Sequence, residues 1–175
     1  MKKFILTPFF LVFIMVAWTS PGTSQGCPLL LQSEEQNTDR FELAVDCIKK
    51  FEGWHSAKHH PYVGYGHRLV PGEHYTANIT EAFADSLLRK DLLQKCKIFR
   101  HSGKDSLLLG VLAYNVGEYK ILGSSKYPKS RLIQKLERGR RNIYNEYISF
   151  CKYKGKTLPS LEKRWKYEYE LLFVH

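Results

Sequence analysis

The chain predicts an α+β fold, mostly helical, with a small β-hairpin lobe packed on a helical lobe and a cleft between them. Three observations predict it. Apolar residues recur at helical spacing over most of 39–173. The one long interruption, 54–75, is rich in His, Gly, Pro and Tyr and too irregular for a helix. Inside it, Tyr62-Val63-Gly64-Tyr65-Gly66-His67 carries the glycine spacing of a tight hairpin turn.

The elements follow in order. Phe41, Ala44, Val45, Ile48 and Phe51 place one apolar face on a helix over 39–51, which Gly53 terminates. Thr80 is a good N-cap, and Glu81 suits the positive end of the helix dipole. From there Ala84, Leu87, Leu88, Leu92, Cys96 and Phe99 form one stripe on a long second helix. Residues 107–114 are apolar almost all round, which predicts a central buried helix ended by Asn115-Val116-Gly117. Further helices are expected over 130–136, over 142–151, and over 161–173 with Leu161, Trp165 and Leu172 buried.

At 175 residues, with no repeat or low-complexity run, the length suits one well-filled core. Residues 1–24 read as an export signal: Lys2 and Lys3, an apolar stretch from Phe4 to Trp18 broken by Thr7 and Pro8, then small polar residues. That stretch is shorter than the ~20 residues a spanning helix prefers. Cleavage is therefore favoured over anchoring, and the membrane is met only through an uncleaved signal. Ser24-Gln25-Gly26 before Cys27 is a poor lipobox. Residues 25–38 read as a short linker and 39–175 as the folded domain, exported to the periplasm or cell envelope.

The 27 basic and 17 acidic residues give a net charge of +10, which favours anionic partners at long range. Outside the cytoplasm those are cell wall and lipid headgroups, and the export signal argues against nucleic acid. Lysines and tyrosines alternate around Tyr144, Tyr147, Lys152 and Tyr153, which can bind single strands. Tyr147 has core spacing, however, so a packed helix followed by a solvated turn around Gly155 is the simpler reading. Cys27, Cys47, Cys96 and Cys151 contain no CxxC pair, which excludes a zinc ribbon or thioredoxin motif. Their three possible pairings stay open.

Glu52 is the isolated carboxylate of interest. It ends the first helix between Phe51 and Gly53-Trp54, where the dipole and aromatic neighbours both disfavour a negative charge. A neutral carboxylic acid in a cleft can protonate the oxygen of a departing sugar. His55, His59, His60, His67 and His74 crowd the following segment. Gly53 and Pro61 deny them a shared helix face, and no acidic or cysteine ligand lies between His55 and His67, so no metal and no cofactor are expected.

Several motifs occur in one order. They are Phe51-Glu52-Gly53, Gly64-Tyr65-Gly66-His67, Ile79-Thr80-Glu81-Ala82, Leu87-Leu88-Arg89-Lys90-Asp91-Leu92, Ala113-Tyr114-Asn115-Val116-Gly117, Lys129-Ser130-Arg131-Leu132 and Leu161-Glu162-Lys163-Arg164. Together they resemble the phage-type lysozymes of glycoside hydrolase family 24, over about 39–173. The shortened loop and the Tyr- and Lys-rich C-terminus resemble the branch carried by conjugative elements.

The resemblance implies a lysozyme-like fold and hydrolysis of the β-1,4 bond between N-acetylmuramic acid and N-acetylglucosamine. Glycan strands of peptidoglycan would be the partner, with a transport or conjugation apparatus as a further one. It implies that Glu52 is the general acid and that His67 and Asp91 form a structural pair across the lobes. Asn115 and Gly117 match a structural turn, and Tyr65 and Asn115 are the candidate substrate contacts.

One departure from the family stands out. Its members have a longer loop after the glutamate, with an aspartate or cysteine and then a threonine. Here Tyr62 takes the threonine's place, and no acid lies between Gly53 and His67. An inverting enzyme needs a base to activate water. His59 or His60, with Tyr62 as a water-positioning group, could supply it, or Glu73 from outside the loop. Alternatively the protein binds glycan without cutting it.

Overall fold

The computed structural model describes residues 28–153 and 156–175. The predicted export signal and Cys27 lie outside the described residues. Seven α-helices and two short hairpins follow in chain order among them. The helices are α1 (Pro28–Glu52), α2 (Glu81–Ile98), α3 (Ser106–Val116), α4 (Glu118–Leu122), α5 (Arg131–Glu137), α6 (Tyr144–Ile148) and α7 (Pro159–Leu172). One hairpin pairs β1 (Tyr62–Val63) with β2 (His67–Arg68); the other pairs β3 (Lys152–Tyr153) with β4 (Lys156–Thr157). The fold is thus mostly helical with a minor antiparallel component.

Helix α3 is the centre of the core. Every residue from Leu107 to Ala113 is buried, as its near-continuous apolar run demands. Around it pack Ala44, Val45 and Ile48 of α1, Leu88 and Leu92 of α2, and Trp165 and Leu172 of α7. Gly110 lets α3 approach α2 closely: a Cβ there would meet Cys96 Sγ at 2.6 Å. Thr80 caps α2, its hydroxyl accepting from the Phe83 N–H at 3.2 Å, and Ser130 caps α5 in the same way.

Two expectations need correction. Helix α1 starts at Pro28 and takes in 28–38, read from sequence as linker. Leu, Gln and Glu dominate that stretch, and good helix formers extend a helix without an apolar stripe. The helix expected over 142–151 is shorter: α6 gives way to a 3-10 turn at Ser149–Cys151. There the Ser149 hydroxyl donates to the Glu146 carbonyl at 2.7 Å, in competition with the helical pattern. The solvated turn expected near Gly155 is flanked by paired strands, with Lys152 opposite Thr157. Cys47, Cys96 and Cys151 are free thiols, and burial pushes Cys47 up to about 12.

The β1–β2 hairpin is the small lobe. Val63 and His67 pair across it and face inward, while Tyr62 and Arg68 face outward. Gly64, at φ +56°, seats the turn on α2, because any Cβ there would sit 2.6 Å from Ala84 Cβ. The buried His67 ring contributes both nitrogens: Nδ1 lies 2.6 Å from Asp91 Oδ2 on α2, and Nε2 lies 2.9 Å from Glu73 Oε2. Burial works against its charge, but the two carboxylates outweigh burial and raise His67 above its ordinary 6.5. Glu73 is thereby engaged within the small lobe, where it also accepts the Val70 N–H.

A second polar network lies inside the helical lobe. Arg164 Nε donates to Glu168 Oε1 at 2.7 Å, and the Tyr147 hydroxyl donates to Glu168 Oε2 at 3.1 Å. Glu168 is fully buried and Arg164 is 4 % exposed. The same i, i+4 pair, were it exposed, would contribute only ~0.3–0.5 kcal/mol. Burial changes that scale. Loss of one partner strands a charge in the core, which costs roughly 3–5 kcal/mol.

Two outcomes are expected. Glu168→Ala lowers the unfolding free energy by about 3–5 kcal/mol, read by denaturant melts, because Arg164 loses its buried counter-charge. Because His67 is raised in the folded state, its stabilising contribution is complete below about pH 6.5 and is lost as pH rises through the folded value. Thermal unfolding therefore falls between pH 6 and the mildly alkaline range, and His67→Gln flattens that dependence.

Candidate active site

Glu52 is the last residue of α1, where Gly53, at φ +63°, turns the chain towards the small lobe. Its side chain is 21 % exposed, and Oε1 accepts a hydrogen bond from Arg164 Nη1 at 2.8 Å. The expected apolar surroundings are therefore corrected: Trp54 is 42 % exposed and rests edge-on against Tyr65, and the group in contact with Glu52 is a guanidinium. Burial opposes the charge of Arg164, but Glu168 and Glu52 together hold it above its ordinary value. Burial raises Glu168 despite its bonds to Arg164 and Tyr147.

The other carboxylate oxygen, Oε2, faces the glycine turn. A Cβ built on Gly66 would lie 3.7 Å from Glu52 Oε2, 3.6 Å from Tyr114 Oη and 3.7 Å from His55 Cε1. Three side chains from α1, α3 and the 53–61 loop thus meet where Gly66 has no side chain. Tyr114 closes the interface by donating to the Tyr65 carbonyl at 2.9 Å, joining α3 to the hairpin. Burial, with the nearby charges of Asp91 and Glu52, pushes the Tyr114 phenol well above its ordinary value. It is a hydrogen-bond donor here, not an acid–base group.

Next to this point opens a cleft of about 270 Å³ between the lobes. Tyr62, Gly66 and Arg68 line it from the hairpin, Asp91 and Lys95 from α2, and Tyr114 from α3. Glu52 is not itself a lining residue; Gly66 and Tyr114 connect it to the cleft.

The residues singled out from sequence are distributed as follows. Tyr62 is 41 % exposed at the cleft. His59 is exposed, and its Nδ1 accepts the Ser56 N–H at 2.9 Å, closing its own 3-10 turn. His60 is exposed and joined to Pro61 by a cis peptide bond. Tyr65 donates to Glu81 Oε1 at 2.9 Å, and the Asn115 amide turns back to the Val111 carbonyl at 3.4 Å; neither side chain lines the cleft. Each side chain thus makes one hydrogen bond within the protein. Among the described residues no group of three or more His, Cys, Asp and Glu is arranged to hold a metal ion.

Sequence reasoning did not identify His55, Tyr114 or the Arg164–Glu52 contact as parts of the site. His55 had one local signal, its position three residues after Glu52. The others had none, because α3 and α7 reach Glu52 only through the tertiary fold. Among the described residues no helix is long and apolar enough to cross a membrane.

The family model for phage lysozyme matches residues 49–168, the span from the end of α1 to Glu168. No curated protein matches the chain. The match covers more than half of the sequence and includes Glu52, the glycine turn, Asp91 and Arg164. The chain belongs to the phage lysozyme family, and with it to the glycoside hydrolases that act on peptidoglycan.

Proposed function

We infer that this protein cuts the β-1,4 bond between N-acetylmuramic acid and N-acetylglucosamine, with Glu52 as general acid. The observation that carries the reading is the division of labour between the two oxygens of Glu52. Arg164 donates to Oε1, which leaves Oε2, the oxygen that faces Gly66 and Tyr114 beside the cleft, as the one available to carry and deliver a proton. A proton at that position can pass to the glycosidic oxygen as its bond to C1 breaks. Tyr62 and Arg68 on one wall and Lys95 on the other would orient the glycan, and lysine and arginine suit its acidic stem carboxylates. His67 and Asp91 act as a clamp between the lobes rather than as reacting groups.

A second reading has its own observation: no acid lies between Gly53 and His67, so the chain would bind glycan without turnover. Action at the wall agrees with the net charge of +10 and with the export signal read over 1–24. Local opening of the wall for a transfer apparatus is drawn from the resemblance to proteins of conjugative elements alone.

Purified protein is expected to clear a peptidoglycan suspension and release reducing ends. Glu52→Gln should lower that rate by about 100-fold or more while insoluble wall still retains the variant. Retention of both proteins on the wall with turnover by neither would establish the binding reading instead.

A further inference from the structure

We propose that His55 is the general base of the reaction, activating the attacking water in place of the missing loop acid. This rests on the reading of Glu52 as general acid. Three observations place it there. First, its protonation pattern is set by the backbone. The His55 main-chain N–H donates to the Gly64 carbonyl at 2.8 Å, and His55 Nδ1 lies 3.2 Å from the same oxygen. A carbonyl oxygen only accepts, so the neutral ring carries its proton on Nδ1 and leaves the Nε2 lone pair free.

Second, the ring lies beside the glycine turn with Glu52. Its Cε1, the carbon between the two nitrogens, and Glu52 Oε2 each lie 3.7 Å from the point where Gly66 lacks a Cβ. Acid and imidazole therefore border one space, and the glycine turn keeps it open. The ring is backed by His59 at 5.1 Å and Tyr62 at 6.0 Å, and Tyr114 Oη lies 3.6 Å from the same Gly66 point.

Third, two of the alternatives are committed elsewhere. His59 Nδ1 accepts the Ser56 N–H, and Glu73 accepts from His67 and Val70.

The chemistry is a single displacement. Water loses a proton to His55 Nε2 as its oxygen bonds to the sugar C1. The bond from C1 to the leaving oxygen breaks, and that oxygen takes the proton of Glu52 Oε2. Both side chains then exchange protons with solvent, and the anomeric configuration is inverted.

His55→Asn is the discriminating variant, because its amide nitrogen can keep the hydrogen bond to the Gly64 carbonyl while Nε2 is lost. Thermal unfolding would verify that it folds; His55→Gln serves in its place if it does not. On soluble peptidoglycan oligomers, kcat/KM should fall about 100-fold. Azide, a nucleophile that needs no base, should restore turnover and yield the inverted glycosyl azide. Wild-type enzyme should release the inverted anomer, read by proton NMR at early times. Activity within a few-fold of wild type, a retained anomer, or a folded variant that azide does not rescue would each overturn the assignment. Glu52→Gln is the separate control: full activity there removes the general-acid reading, whereas full activity in His55→Asn removes only the role of His55.

Discussion

Arg164 lies between two carboxylates and ties the chemistry of this protein to its core. One edge of the guanidinium meets Glu168, which is fully buried; another meets Glu52, which is partly open to the site. A buried cation requires nearby counter-charge, so α7 and the end of α1 come together in one relative position. Tyr147 extends the constraint to α6 through Glu168. Glu52 is thus oriented from inside the helical lobe, by groups buried within it. A solvated glutamate at a frayed helix end would have no such fixed orientation.

The small lobe is seated by two kinds of contact. Steric fit comes from Gly64, which leaves no room for a side chain against Ala84. Charge comes from His67, which joins Asp91 of α2 to Glu73 of its own lobe. The Tyr114 hydroxyl adds a third point by holding the Tyr65 carbonyl. Together these hold the glycine turn beside Glu52.

The loop between Glu52 and the hairpin is short and carries no acid between Gly53 and His67. Within it His55 bridges to Gly64 of the hairpin backbone. The histidine-rich composition of the segment is then partly structural, with His59 closing a turn and His55 meeting the site.

Much of this architecture was legible in the residues alone. Apolar spacing located α2, α3 and α7, Thr80 marked a cap, and the glycine pattern marked the hairpin, because each depends on neighbours a few positions apart. The motif order pointed to the family and to Glu52. Helix α1 was underestimated, since polar helix formers leave no periodic trace. Which groups surround Glu52 was decided only by tertiary structure: Arg164 arrives from 112 positions away, and Tyr114 joins the hairpin from 49. Local patterns report the conformation of a segment. Charge pairing and packing between distant segments arise only when the whole chain closes around one core.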